Sequence, residues 1–252
     1  MALRCISAQQ VDGLLHAGEI HVWSVSVAEW LPYLEMLGEL LNREEHERAA
    51  RFRFERDWRR YILCRGLLRT LLADYLSREP GDIEFRSGAH EKPELAGDAL
   101  PRLEFNLSHS DEAALFALAA GKRVGVDIER VRSGVDVDGI AQQVLTPAEI
   151  EKLSAAAATQ KEDLFYAMWT QKEAYIKAIG LGLSAPVRQI TVGEGVLDAG
   201  NDSGGWMIEG SGARWSLLRL DAPAGYQAAL SVEGTIHRDQ LQVRPLAPPQ
   251  TA

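Results

Sequence analysis

The chain has 252 residues, enough for one large domain or two small ones, and its 46% hydrophobic and 25% charged content is that of an ordinary soluble globular protein. No run approaches the roughly 18 uninterrupted apolar residues of a membrane helix, which excludes a transmembrane reading. A formal charge of −9 argues against a nucleic-acid binder, whose affinity depends on a basic surface.

In chain order, "MALRCISAQQVDGLL" turns polar too early for a signal-peptide core, so the cytoplasm is the expected compartment. Cys5 and Cys64 are the only cysteines, and no Cys/His cluster has metal spacing, so both are expected to be free thiols. "EIHVWSVSV" alternates as a strand, and Leu40 to Leu76 reads as a helix. Between Arg43 and Arg69, nine arginines face five carboxylates, a local basic stretch that suits a small polyanionic ligand. "DIEFRSG", "LEFNLSHS" and "AALFALAAG" read as three short strands.

The order then repeats. "RVGVDIERV" is a strand, "TPAEIEKL" has the Thr/Pro/Glu start of a helix, and Glu162 to Ile179 is a longer helix closed by Gly180 and Gly182. "QITVGEG", "RWSLLRL" and "YQAALSVEG" are again strand-like. Strand, helices and a three-stranded antiparallel meander, occurring twice about a hundred residues apart, predict an α+β fold of two similar halves, 1–120 and 121–252. Coincidence between two unrelated α+β domains is the competing reading. Either way the seam lies near Gly121, with a ligand cleft between the halves. The Pro-rich end, "RPLAPPQTA" (residues 244–252), is expected to be disordered.

In "VGVDIERV" the period of two puts Asp127 and Glu129 on one face and Val126 and Ile128 in the core. Two carboxylates on one face call for a cation, and an oxygen-only set suits Mg²⁺; a solvated strand edge is the plainer alternative. Gly125 permits close approach by a ligand or another chain segment. In the helix that carries "MWTQKEAYIKAIGLG", Phe165, Met168, Tyr175, Ile176 and Ile179 form an apolar stripe, with Trp169, Glu173 and Lys177 at one-turn spacing beside it. Glu173 and Lys177 make either a surface ion pair or, at the core border, a third metal carboxylate or general base with a lysine one turn on. Lys172 has no evident role beyond packing its stem with its ammonium outward. Ser108, His109 and Ser110 offer a phosphate cradle at a turn, or simply polar loop residues. "EKPEL" presents Lys92 on a loop stiffened by Pro93, otherwise an exposed turn. No G-x-S-x-G elbow or Walker A loop is present.

In this order and at these separations, "FNLSHSDE", "VGVDIERV" and "MWTQKEAYIKAIGLGL" resemble the 4'-phosphopantetheinyl transferase superfamily, in its larger pseudo-dimeric type that activates peptide synthetases and related carrier proteins. The likeness covers roughly residues 40 to 235, and its most specific part is W-x-x-K-E-x-x-x-K some forty residues after G-x-D-x-E. It implies a site at the interface of the halves and transfer of phosphopantetheine from coenzyme A to a serine of an apo acyl, peptidyl or polyketide carrier protein, releasing 3',5'-ADP. By motif position Asp127, Glu129 and Glu173 would hold Mg²⁺, with Glu173 and Lys177 catalytic. Lys92, Ser108, His109 and Lys177 would contact coenzyme A, together with Arg48, Arg51 and Arg60 from the basic segment. Glu91 stands where the family has a glycine before Lys-Pro. A monomer would suffice, since one chain holds both halves. The competing readings are a non-catalytic module binding coenzyme A or a carrier protein, and a Mg²⁺-dependent phosphoesterase on the same carboxylates.

Overall fold

A computed structural model describes residues 15–88, 92–97, 102–192, 206–207 and 213–249. Its first strand, β1 (Ile20–Ser26), alternates as expected: Trp23 and Val25 face a helical layer, and Ile20 and Val22 face the second sheet. Short helices α1 (Val27–Trp30) and α2 (Leu34–Gly38) follow, then α3 (Arg43–Ala49) and α4 (Glu55–Leu76). The single helix expected over Leu40–Leu76 is therefore two. α3 has its own start at Asn42, whose side chain accepts from the Glu45 amide while Glu45 accepts from the Asn42 amide. An extended Phe54 then opens α4 after a non-helical break.

Glu45 clamps the two helices. It pairs with Arg65, and it accepts from Arg69 Nε at 2.8 Å; Arg69, 1% exposed, also donates to the carbonyls of Pro80 and Ile83. Burial alone would raise the Glu45 carboxyl, but the Arg69 hydrogen bond and the Arg65 charge together hold it below its ordinary value of 4.5. A carboxyl depressed on folding stabilises above its unfolded pKa, and that contribution is lost as pH falls through the folded one. Denaturant midpoints should therefore fall on acidification below pH 4.5, with a shallower fall in Glu45→Gln; an identical pH profile for the variant would refute the clamp.

The ribbon β2 (Phe85–Ser87) and β3 (Pro93–Leu95) precedes the hairpin β4 (Leu103–Ser110) and β5 (Ala113–Ala120). Next come β6 (Val124–Arg130), α5 (Val137–Val144), α6 (Pro147–Ala155) and α7 (Lys161–Ile179), the last closed by a left-handed Gly180. β7 (Trp206–Met207), β8 (Arg214–Leu220), β9 (Tyr226–Glu233) and β10 (Leu241–Pro245) complete the elements. One sheet has the order β10-β1-β5-β4 and the other β6-β9-β8-β7. In each, the first strand lies antiparallel to the second strand of a following hairpin.

Three expectations are corrected. The first meander is a two-stranded hairpin: β2 pairs with β3, because the free edge of β4 is turned to β6 and cannot receive it. "QITVGEG" is irregular at Ile190–Val192, which bury apolar side chains without strand pairing, and its remainder lies outside the described residues. The Pro-rich end is ordered through residue 249. β10 runs parallel to β1, Leu246 is buried with its carbonyl accepting from Trp30 Nε1, and the Pro249 carbonyl accepts from Tyr33 Oη. Residues 1–14, including Cys5, also lie outside the description.

Three apolar layers hold this arrangement. Leu67, Leu68, Leu71 and Leu72 of α4 are fully buried against Trp23, Phe116 and Leu118, each worth about 1.5–3 kcal/mol of transfer free energy. Val126, Ile128, Leu218 and Leu230 meet Ile20, Val22, Leu115 and Ala117 between the sheets, and the apolar stripe of α7 packs on Trp215 and Leu217. Among the described residues no helix is long and apolar enough to cross a membrane.

Candidate active site

The two sheets meet edge to edge at β4 and β6, and side chains rather than main chain make the join. On one side of β4, Asn106 Oδ1 accepts from the Val126 amide at 2.8 Å, Ser108 Oγ from Ile128 at 3.4 Å and Ser110 Oγ from Arg130 at 3.1 Å. Every second residue of one strand thus serves every second amide of the other. The same hydroxyls donate to the carboxylates, Ser108 to Asp127 Oδ1 and Ser110 to Glu129 Oε2, each at 2.8 Å. Ser108 and Ser110 are therefore strand residues whose hydroxyls serve the seam, and not turn residues; the turn itself begins at Asp111, where φ is positive.

Helix α7 comes unusually close to β6 because residue 125 is glycine. A Cβ there would stand 2.1 Å from the Ala174 carbonyl oxygen and 2.4 Å from the Ala178 nitrogen, so any side chain would push the helix away. The close approach brings Glu173 and Lys177 to the carboxylates of β6. Lys177 Nζ lies 2.6 Å from Asp127 Oδ1 and donates to Ser108 Oγ at 2.9 Å, so its partner is Asp127 and not Glu173 one turn back. Asp127 is 2% exposed, and its Oδ2 is buried without a hydrogen-bond partner. Burial raises the Glu173 carboxyl, and Asp127 and Glu129 raise it further against the opposing charge of Lys177. Burial likewise raises Glu129, opposed by the Ser110 hydrogen bond and reinforced by Asp127.

Glu129 and Glu173 are thus both raised by burial and by the nearby Asp127 charge, with Lys177 opposing. As placed, no three His, Cys, Asp or Glu side chains among the described residues are close enough to ligate one ion, and the Lys177 ammonium stands beside Asp127. The orphaned Asp127 oxygen and the oxygen-only donor set nevertheless fit a hard divalent cation.

His109 points to the other side of β4, into a cleft of about 370 Å³ lined also by Arg48, Arg65, Arg86, Phe52 and Tyr61. It keeps an exposed edge, yet the packing around the ring and the Arg60 guanidinium hold the imidazole below the usual histidine range. Of the arginines expected to bind a ligand, Arg48 lines this cleft, Arg60 borders it through His109 while paired with Asp57 at 2.7 Å, and exposed Arg51 is not among its lining residues. Lys92 is also elsewhere, donating to the Val124 carbonyl at 3.1 Å. Arg65 and Arg86 were not anticipated; the arginine-rich helix signalled the first and nothing in the short strand signalled the second. Cys64 lines the cleft too, but burial pushes its thiol up to about 12, which makes it a poor nucleophile. A larger cleft of about 860 Å³ runs along β10 and includes none of these groups.

Residues 123–231 match the 4'-phosphopantetheinyl transferase superfamily, and residues 21–122 match the family described as 4'-phosphopantetheinyl transferase, N-terminal. The chain is 34% identical over 222 residues to the 4'-phosphopantetheinyl transferase HetI of Nostoc sp., spanning 87% of this chain and 90% of that protein. The chain belongs to the 4'-phosphopantetheinyl transferase superfamily. It is also 35% identical to a 4'-phosphopantetheinyl transferase of Bacillus subtilis over 59% of this chain and 64% of that protein. The mouse L-aminoadipate-semialdehyde dehydrogenase-phosphopantetheinyl transferase is 30% identical over 75% of this chain and 63% of its own length. Relatives so named make this phosphopantetheinyl transferase an enzyme of the larger type.

Within the transferase, the residue beside Glu173 has a structural task. Lys172 is fully buried, and its ammonium turns inward, 2.7 Å from Glu149 Oε2, donating to the carbonyls of Val144 and Val187 at 2.9 and 3.1 Å. The expected outward ammonium is corrected. Glu149 in turn caps α6 through the Thr146 amide and accepts from Val192 at 2.7 Å. Burial lowers the Lys172 pKa, and the Glu149 carboxylate opposes that shift. One buried ion pair thus ties α7 to α6, to the end of α5 and to the segment after α7.

Proposed function

We propose that this protein transfers the 4'-phosphopantetheine group of coenzyme A to a serine hydroxyl of an apo acyl, peptidyl or polyketide carrier protein, releasing 3',5'-ADP, with Mg²⁺ held by Asp127, Glu129 and Glu173. The observation that carries this is the buried, unpartnered Asp127 oxygen among facing carboxylates and a lysine. We read the shared strand order of the two sheets as an internal duplication, so that one chain forms the pseudo-dimer and its cleft without a second copy.

In this reading the arginine cleft receives the phosphorylated nucleotide end of coenzyme A. Arg48, Arg65 and Arg86 supply charge and His109 a neutral donor. The bound ion, when present, supplies Lewis-acid stabilisation at the pyrophosphate. The serine oxygen forms a new bond to the β-phosphorus as the bond to the bridging oxygen breaks. Glu173 takes the serine proton, and Lys177 stabilises the departing oxygen of 3',5'-ADP. Ser108 and Ser110 keep Asp127 and Glu129 oriented throughout.

Incubation with coenzyme A, Mg²⁺ and an apo carrier should add the mass of one phosphopantetheine to the carrier, read by intact-protein mass spectrometry. No shift across acyl, peptidyl and polyketide carriers would sink the proposal. Release of nucleotide from coenzyme A without any carrier would favour the phosphoesterase instead.

A further inference from the structure

Large hydrophobic side chains are scarce on this surface. Among the described residues seven are exposed, and three of them, Phe52, Phe54 and Trp58, lie in one short segment. Phe52 is occupied in the arginine cleft, its ring 5.4 Å from that of Tyr61. Phe54 and Trp58 are not among the lining residues, at 54% and 37% exposure. The Trp58 amide bonds to the Phe54 carbonyl across the first turn of α4, so the two side chains sit one turn apart. The guanidinium groups of Arg53 and Arg56 lie 5.5 and 5.7 Å from the Phe54 ring centre. Residues 51–60 carry five arginines against two carboxylates, in a chain whose net charge is −9.

Exposed aromatics interleaved with arginine have the composition of the centre of a protein interface, and a basic face on an acidic protein orients an acidic partner as it approaches. The ridge also adjoins the arginine cleft. Phe52, two residues before Phe54, lines that cleft together with His109, Arg48 and Arg65. A protein seated on Phe54 and Trp58 therefore rests beside the cleft.

We propose that the Phe54–Trp58 ridge, flanked by Arg53 and Arg56, docks the acceptor protein through an acidic face that carries apolar side chains. This rests on the transfer reading above. The acceptor is favoured over an anionic membrane because the ridge adjoins the cleft that the transfer reading gives to the donor nucleotide, which the acceptor must approach.

The test is steady-state transfer to one apo carrier at several salt concentrations, using the parent protein, Phe54→Ser/Trp58→Ser and Arg53→Glu/Arg56→Glu. Both variants should raise KM for the carrier at least tenfold, with kcat and KM for coenzyme A within twofold of the parent. The charge reversal should also flatten the salt dependence. An unchanged carrier KM overturns the proposal, as does an equal rise in KM for coenzyme A, which would assign the ridge to the nucleotide cleft. Loss of binding to phosphatidylglycerol vesicles with unchanged carrier kinetics would assign it to a membrane instead. If the parent transfers nothing, the proposed function fails first. Docking is then read from direct binding of the apo carrier, where equal affinity of parent and variants refutes it.

Discussion

Asp127→Ala is expected to lower kcat/KM for transfer on the order of a thousandfold, the scale seen when a preorganised electrostatic group is removed from a reacting centre. The substitution removes the oxygen that holds Lys177 at 2.6 Å and accepts from Ser108, together with the buried oxygen that has no protein partner. The fold should survive. Lys177 has a side-chain exposure of 30%, so its freed ammonium can reach water, and Val126 and Ile128 still anchor β6 between the sheets. Glu173→Gln should be comparably inactive, since it keeps the shape of the side chain and removes only its charge and basicity. Mass-spectrometric assay of transfer beside far-ultraviolet circular dichroism checks both variants. Parent-like rates in either would overturn the assignment of the carboxylates.

Lys172→Met should be the most destabilising single change near the site, by about 3 kcal/mol, because breaking one side of a buried ion pair leaves the other charge stranded. Glu149 would be that charge, at 4% side-chain exposure and with only backbone amides left to it. Adding Glu149→Gln should recover part of the loss, since the double variant buries no unpaired charge. Denaturant midpoints of the two single variants and the double one decide the matter. A Lys172→Met midpoint equal to the parent's would mean that the pair contributes nothing.

The contrast between these neighbours shows what a sequence discloses. Asp127 and Glu129 were legible because strand alternation set them opposite Val126 and Ile128, and both valine and isoleucine are buried as that pattern requires. The start of α6 was legible because Thr146 and Glu149 form a local capping box. Lys172 was not, since its partners lie 15 to 28 residues away and two are main-chain carbonyls, which have no signature in residue type. Ser108 and Ser110 looked like turn residues because hydroxyls in a strand are noticed only once the facing strand is known. The arginines divided for a related reason. A basic stretch announces a ligand, but Arg48 on α3 and Arg65 on α4 line the cleft while Arg51, in the break between the two helices, does not. The terminal strand was hidden by its prolines, which read as breakers although an edge strand tolerates them.

That terminal strand bears on how the molecule is made. β1 leaves the ribosome well before one of its two neighbours, β10, which follows the whole second sheet in the chain. Until β10 emerges, the Ile20–Ser24 edge is bare and Trp30 lacks the carbonyl it bonds. Pairing over so long a sequence separation is slow, so the nascent first half waits with an open, sticky edge. A chaperone, or a second nascent chain, can meet that edge before β10 does.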